Sequence, residues 1–238
     1  MLPKIIAFNG PMASGKDTYS NYYGSILTKK GIKWSKYGLG TPPKREVDFI
    51  LNQIKNGKTK LYICNELLKL EYFNKEDFDK MYDMCFELVG KDPSLTAFNR
   101  TPEIRKILQY WSTDVRRKYN QRYWLDIALK EIKKMSEEYF IITDPRFILE
   151  FDELKKLGGF NVFLKVSKEE QMRRIMKRDG FIPSEETLNH PSELECLKYD
   201  KYDLVIDTEK ETVEVLDRYF QWELVIYSMK KKKMEHLI

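Results

Sequence analysis

The sequence predicts an α/β fold with a doubly wound, five-stranded parallel sheet, and two patterns support this. Short apolar runs bounded by turns or charges are typical of the central strands of a parallel sheet. Helical patterns separate each run from the next, and this alternation favours parallel strands joined by helices. The five runs lie at residues 4–9, 32–37, 139–143, 161–166 and 203–206.

The chain has 238 residues, which is enough for one substantial hydrophobic core and favours a single domain. Between the second and third runs, Lys, Glu, Asp, Tyr and Leu recur at helical spacing. Prolines at 42, 43, 93 and 102 break this region into several short helices, because proline does not continue a helix. We expect a core at 1–40 and 133–225, a helical insert at 41–132, a short lid near 170–195 and a basic tail at 226–238.

The first run leads directly into a glycine-rich turn at the start of a helix. In this arrangement backbone N–H groups surround phosphate oxygens, the helix dipole adds partial positive charge, and a lysine reaches the outer phosphates. The helix extends to about Lys30, and Gly31 is suited to end it. The turn predicts binding of a nucleoside triphosphate through Gly10, Ala13, Ser14, Gly15, Lys16, Asp17 and Thr18.

The hydroxyl of this loop is displaced by one position. Asp17 follows Lys16 directly, and the hydroxyl comes next, at Thr18. A hydroxyl after the lysine is the group that phosphate-binding loops place on magnesium. We therefore expect Thr18, with help from Asp17, to hold Mg²⁺.

Composition excludes several other classes of site. The three cysteines follow neither a metal-binding nor a disulfide pattern, and two histidines are too few for a histidine-based zinc site or a nucleophilic triad. Phosphoryl transfer requires neither kind of site. The sequence has no apolar stretch of about 18 residues, so we expect a soluble protein of the cytoplasm without a membrane partner.

The net charge of +5 is modest and comes from local clusters. The run Lys230-Lys231-Lys232-Lys233 has no interleaved aromatic residues, so we interpret it as a solvated tail and expect no specific nucleic-acid binding. A second cluster lies on a predicted helix that begins near Ser167, whose hydroxyl is suited to cap it. Helical spacing places Arg174 and Arg178 on one face of that helix, which is suited to bind phosphates.

Asp144 and Arg146 directly follow the third apolar run. This places the Asp144 carboxylate at the carboxyl edge of a central strand, where open α/β sheets bind their ligands. A carboxylate there can orient magnesium or accept a hydrogen bond from a second substrate. The planar guanidinium of Arg146 suits a phosphate bidentately.

Another polar face is predicted on a helix within residues 105–117. Its apolar residues recur at steps of three and four and form the core face: Ile107, Leu108, Trp111 and Val115. The other face is suited to an anionic ligand that forms hydrogen bonds, and it presents Arg105, Gln109, Ser112 and Arg116. For Trp124, core packing and stacking on a nucleobase remain equal alternatives.

Taken in order, these blocks resemble the deoxynucleoside monophosphate kinases of the bacteriophage type, in the superfamily of P-loop nucleoside monophosphate kinases. The resemblance spans most of the chain, apart from about residues 45–100 and the tail. Only the loop is individually specific, and the order and spacing of the set support the rest. The blocks are Gly10 to Thr18, Pro43-Lys44, Arg105-x-x-Leu108-Gln109-x-x-Ser112-Thr113-Asp114-x-x-Arg117 with Trp124, Asp144-x-Arg146-Phe147-x-x-Glu150, and His190-x-Ser192-Glu193.

The resemblance implies ATP as phosphate donor, Mg²⁺ as its metal, and a small-molecule deoxynucleoside monophosphate as acceptor. It implies that Lys16, Arg105, Arg174 and Arg178 act in catalysis, the last two as a lid over the triphosphate. Other residues would bind the monophosphate or order the groups that bind it: Lys44, Arg105, Asp114, Arg116, Arg117, Trp124, Asp144, Arg146 and Glu150. It also suggests a viral or phage origin.

The sequence departs from the family pattern at two positions, and three alternative functions remain open. Ser112 stands where the family commonly has glycine, and Asp207 ends the last run where an asparagine near the adenine is expected. The segment Gln171 to Gly180 also looks like the lid helix of dephospho-coenzyme A kinases, so that activity, or another small-molecule P-loop kinase, is an alternative. A regulatory protein that binds ATP without transferring phosphate is another, and the exposed helical insert could support a homodimer.

Overall fold

Five strands form one parallel sheet in the computed structural model, which describes residues 5–69 and 73–219. The order across the sheet is β2-β3-β1-β4-β5, and every pair of neighbours is parallel. The predicted α/β fold class is confirmed. The strands are β1 (Ile5–Asn9), β2 (Trp34–Gly38), β3 (Tyr139–Thr143), β4 (Phe160–Lys165) and β5 (Leu204–Asp207).

β1 and β3 occupy the middle of the sheet, and all their residues are buried. Ala7 of β1 lies opposite Ile142 of β3 on one side and Asn161 of β4 on the other. Because the strands are parallel, the loop after β1 and the segment after β3 leave the sheet at the same edge. This edge carries the residues of the candidate site.

β2 begins later than the apolar run at 32–37 predicts. Ile32 lies in the turn that ends the first helix, because its N–H donates to Leu27 O at 3.0 Å. The N–H of Gly31 donates to Thr28 O at 3.0 Å, and Gly31 has a φ of 69°. These two bonds form the turn that ends helices at a left-handed glycine. The role expected for Gly31 is therefore confirmed, and the strand starts at Trp34.

Helices surround the sheet and fill the chain between β2 and β3. Side-chain oxygens of Thr59, Asn74, Thr101 and Ser167 cap four of them by accepting from a backbone N–H three residues later. The cap expected at Ser167 is confirmed. The helices are α1 (Lys16–Lys29), α2 (Thr41–Lys55), α3 (Lys60–Leu68), α4 (Lys75–Lys91), α5 (Pro102–Gln109), a π-helix (Tyr110–Arg117), α6 (Tyr123–Ile132), α7 (Ile148–Lys156), α8 (Lys168–Asp179), α9 (Glu185–Leu188) and α10 (Pro191–Lys198).

The helices between β2 and β3 have a core of their own, formed by apolar side chains of α2 to α6. Two further clusters lie on the faces of the sheet, one of them built with α1. α6 joins the helical core to the sheet, because Trp124 packs in the former and Leu125 and Ala128 pack against the latter. Packing of α6 in both clusters thus attaches the helical region to the sheet.

None of the described helices is both long and apolar enough to cross a lipid bilayer. The basic tail predicted at 226–238, with Lys230 to Lys233, lies outside the described residues.

Candidate active site

A cavity of about 1040 Å³ lies at the carboxyl edge of the sheet, between the loop after β1, the helical region and α8. Seven of its lining side chains are cationic and four are carboxylates, so the cavity is suited to anions. The cations are Lys16, Lys44, Arg100, Arg105, Arg146, Arg174 and Arg178, and the carboxylates are Asp17, Asp144, Glu211 and Glu214.

The loop after β1 has the backbone of an anion-binding turn. Gly10, Ala13 and Gly15 have positive φ values of 143°, 59° and 99°. A Cβ on Gly10 would lie 2.6 Å from Leu164 O, so only glycine fits there. No side chain caps α1 at Gly15. Since the first N–H groups of a helix have no intrahelical partner, they remain directed at the cavity.

The Lys16 side chain folds back onto this turn and binds its carbonyl groups. Its ammonium donates to Gly10 O and Pro11 O, at 2.9 Å each. Burial lowers the pKa of Lys16, and the nearby carboxylate of Asp144 opposes this shift. The lysine is therefore held by the loop, beside the N–H groups that would surround a phosphate.

Asp17 and Thr18, the residues expected at the metal, are both exposed and both line the cavity. The Asp17 carboxylate lies 2.8 Å from Lys36 Nζ. Within residues 5–69 and 73–219, no group of three or more His, Cys, Asp or Glu could hold a metal unaided. A hydroxyl and carboxylates beside a phosphate site nevertheless fit Mg²⁺, which takes oxygen ligands from one or two side chains and from phosphates.

Asp144 and Arg146 emerge from the end of β3 into the same cavity. Asp144 has a φ of 61°, a left-handed conformation that redirects the chain after the strand. Burial raises the pKa of the Asp144 carboxyl, but the charges of Lys16 and Arg146 outweigh this and hold the pKa below its ordinary value. Asp144 is accordingly an ionised acceptor of hydrogen bonds.

Arg146 is fixed by the turn that begins α10. Its Nη1 donates to the Glu193 carboxylate and to Ser192 O, the latter at 3.1 Å. Burial lowers the pKa of the Arg146 guanidinium, but the charges of Glu193 and Asp144 raise it above its ordinary value. The motif that begins at His190 therefore has a structural role, because its Ser192 and Glu193 supply the acceptors that orient Arg146.

Glu150 and Arg117 lie behind this segment. The buried Glu150 carboxylate accepts from the backbone N–H of Arg146 at 2.6 Å and of Phe147 at 3.1 Å, and it pairs with Arg117 at 2.5 Å. Arg117 also packs on the Phe147 ring, 4.1 Å from its centroid. Arg117 was expected to hold a phosphate, but it does not line the cavity; it supports the segment that carries Arg146.

Three further predicted site residues do not line the cavity, and two of them, Asp114 and Arg116, lie on the π-helix. Because each turn of a π-helix contains more residues than a turn of an α-helix, the faces predicted from α-helical spacing drift apart. Arg116 is fully buried and pairs with Glu46 at 2.8 Å. Asp114 is exposed, 3.5 Å from His190 Nε2. Trp124 is fully buried and donates to Ser112 O at 2.9 Å. None of these three residues lines the cavity: Arg116 and Trp124 are buried in the helical region, and Asp114 lies on the surface.

Arg105, Arg174 and Arg178, from α5 and α8, do line the cavity. Arg105 donates to Asp179 at 2.6 Å, and Arg178 donates to the same carboxylate. Arg174 donates to Thr208 Oγ1 at 2.9 Å and to Thr208 O at 3.0 Å. Contacts with Thr208 connect the helix after β4 to the chain after β5.

Several lining residues lie in segments that carry no recognisable motif. Phe98, Asn99 and Arg100 form a loop before α5, and Lys44 lies 5.9 Å from the Phe98 ring centroid. The cap Thr101 and the helix start at Pro102 are visible in the sequence, and they mark Arg100 as adjacent to α5. Nothing local marks Phe98. The other unpredicted lining residues include Thr187, Thr208, Thr212 and Val213.

No protein-family model and no curated protein matches the sequence. Solved structures resemble its fold. TT1252 from Thermus thermophilus is 19% identical with a TM-score of 0.44, over 94% of this chain and 98% of that one. The shikimate kinase from Acinetobacter baumannii in complex with shikimate is 16% identical with a TM-score of 0.40, over 96% of this chain and 95% of that one. The shikimate kinase from Aquifex aeolicus is 14% identical with a TM-score of 0.42, over 94% of this chain and 98% of that one.

Proposed function

We propose that this protein is a kinase that transfers the γ-phosphoryl group of ATP to the 5′-phosphate of a deoxynucleoside monophosphate. The products are ADP and the deoxynucleoside diphosphate, a precursor of DNA. The observation that carries the proposal is that one cavity contains a phosphate-binding loop and, on separate elements, further cationic side chains. Two anionic substrates that react with each other require such a double site.

The donor side consists of the loop and α8. The N–H groups of the loop would bind the β- and γ-phosphates together with Lys16. Arg174 and Arg178 would close over the triphosphate as a lid, near residues 170–195. Thr208 and residues 211–214 also line the cavity and would contact the donor nucleoside.

The acceptor side consists of Arg105 on α5, Lys44 on α2 and Arg146 after β3, with Arg100 beside them. The helices of residues 41–132 would serve as the substrate-binding insert. A phosphate acceptor is already a nucleophile, whereas a hydroxyl acceptor profits from a general base. A phosphate acceptor therefore needs no general base, and the Asp144 carboxylate, ionised beside Lys16 and Arg146, would accept hydrogen bonds there.

Magnesium bound with ATP would neutralise part of the developing charge. The Thr18 hydroxyl would hold it, with Asp17 or Asp144 contributing directly or through water. Lys16, Arg105, Arg174 and Arg178 position the reacting phosphates, and closure of the lid excludes water, which would otherwise hydrolyse ATP.

A panel assay tests this proposal. The purified protein is incubated with Mg²⁺-ATP and each ribo- and deoxynucleoside monophosphate in turn, and ADP and the new phosphate ester are measured. Dephospho-coenzyme A and shikimate are included as other acceptors. The Lys16→Ala variant is the matched control for contaminating kinases, because it removes one cation from the loop.

We expect phosphorylation of at least one deoxynucleoside monophosphate by the wild type and none by the control. Phosphorylation of dephospho-coenzyme A or shikimate alone would overturn the acceptor while retaining the kinase. Tight ATP binding without transfer to any acceptor would indicate a regulatory protein and overturn the proposed activity.

A further inference from the structure

Asp179 is the last residue of α8, and its carboxylate contacts arginines from two parts of the chain. Its Oδ2 accepts from Arg105 Nη2 at 2.6 Å. Arg178 donates to both carboxylate oxygens, at 2.8 and 2.7 Å. Arg105 lies on α5, in the region assigned to the acceptor, and Arg178 on α8, in the region assigned to the donor. One carboxylate therefore joins the two sides of the cavity.

This position is unfavourable for a carboxylate on its own. The Asp179 side chain is only 1% exposed, and a helix carries partial negative charge at its carboxyl end. α8 ends here because Gly180 follows with a φ of 77°. Burial raises the pKa of Asp179, but the charges of Arg178, Arg105 and Arg100 hold it below its ordinary value.

Asp179 is thus kept ionised by arginines that line the cavity, at a place where local rules disfavour a charge. Residues that break local rules tend to lie at functional sites. Glu153 of α7 also joins two cations, but outside the cavity. It lies 2.5 Å from Arg122, which precedes α6, and 2.7 Å from Lys156 of α7, and none of the three lines the cavity.

We propose that Asp179 is a positioning residue for phosphoryl transfer, an inference that rests on the proposed function. It holds the guanidinium groups of Arg105 and Arg178 at a fixed spacing, so that the acceptor phosphate and the γ-phosphate are held in line. It contacts neither substrate. Without its charge both arginines would still attract anions, but their relative positions would no longer be fixed.

The Asp179→Asn variant separates positioning from binding. We expect kcat for transfer to the acceptor identified in the panel to fall about 10- to 100-fold, because small misplacements of reacting groups are costly. The dissociation constant of a non-hydrolysable ATP analogue, AMP-PNP, measured by calorimetry, should stay unchanged or decrease, because the cavity loses a negative charge. In the matched control, Glu153→Gln, both quantities should equal those of the wild type.

A second variant, Asp179→Glu, keeps the charge and displaces the carboxylate by one methylene. It should also lower kcat without weakening AMP-PNP binding. If circular dichroism shows that Asp179→Asn does not fold, this variant replaces it in the test. Full kcat in a folded variant would overturn the positioning role. A loss of AMP-PNP affinity in step with kcat would assign Asp179 a structural role instead. A wild type that phosphorylates no acceptor would overturn both this inference and the proposed function.

Discussion

The guanidinium of Arg116 lies 2.8 Å from the carboxylate of Glu46, in the interior of the helical region. The rings of Phe73, Trp111 and Tyr123 surround it, with centroids 4.7 to 4.9 Å from its central carbon. Trp111 Nε1 and the Tyr123 hydroxyl also donate to Glu46, at 2.9 and 2.6 Å. One carboxylate therefore ties α2 to the π-helix and to α6.

Removing this carboxylate should destabilise the fold strongly. In Glu46→Gln, Arg116 stays buried but loses its anionic partner, so we expect the free energy of unfolding to fall by about 3–5 kcal/mol. Urea denaturation followed by circular dichroism measures this. The control is Glu87→Gln, which removes an exposed pair with Lys91 and should change stability by at most about 0.5 kcal/mol. If both variants lost similarly little, Arg116 and Glu46 would not act as a buried pair.

Lys16→Ala tests the loop. Among the described residues, the ammonium donates to carbonyls of its own turn alone, Gly10 and Pro11, so we expect a loss of stability of about 1 kcal/mol, as is common for point mutants. Turnover should fall about 100-fold or more, because a preorganised cation at the transferring phosphate is lost. Unfolding curves and steady-state rates are measured on the same preparation. Near-normal turnover would show that the loop does not bind the transferred phosphate.

Arg174→Lys and Arg178→Lys test the lid. Lysine keeps the charge but lacks the planar fork with which Arg174 contacts both Thr208 and Glu170. If these arginines act mainly in the transition state, kcat and kcat/KM should fall together. Arg173→Lys is the matched control on the same helix, because Arg173 is exposed and does not line the cavity. Equal rates in all three variants would make this face of α8 a solvated surface.

Local signals in the sequence account for most of the fold and for the loop. Apolar runs, caps and turn glycines act over a few residues, so the five strands, the Ser167 cap and the Gly31 turn are all predictable. The start of β2 was predicted too early for a local reason as well. Ile32 is apolar and extends the run, but its backbone hydrogen bond places it in the turn that follows α1.

Positions set by long-range packing were not predictable. Assigning Arg105 and Arg116 to one face assumes α-helical spacing, and the π-helix at Tyr110–Arg117 invalidates it. For Trp124 the sequence leaves core packing and stacking on a nucleobase equally open, because only the packed fold encloses its indole in the core. Phe98 reaches the cavity only because the helical core positions the loop before α5, and no local pattern encodes that packing.

The carboxyl of Glu170 should titrate unusually low. Hydrogen bonds from Arg173 and Arg174 lower its pKa to about 2. Because the folded-state pKa is depressed, this interaction favours the folded state above the pKa of the unfolded chain and is lost as the pH falls toward 2. Carbon-13 NMR of the side chain measures the midpoint. In Arg173→Ala the midpoint should rise toward the ordinary glutamate value; an unchanged midpoint would mean that the pair does not form in solution.

Arg146→Ala tests the placement of the two substrates. The Arg146 guanidinium lines the cavity beside Asp144 and is oriented by Glu193. If it binds the acceptor phosphate, its loss should raise KM for the monophosphate about 10- to 150-fold, which corresponds to about 1.5–3 kcal/mol for a charge-assisted contact. KM for ATP should barely change, because other residues build that site.

The control for Arg146 is Arg122→Ala, which removes an arginine from an ion pair outside the cavity and should leave both Michaelis constants unchanged. Circular dichroism checks that each variant is folded, because Arg146→Ala also leaves the buried Glu193 without its partner. A rise in KM for ATP alone would place Arg146 on the donor side. The positions of the two substrates in the cavity would then be exchanged.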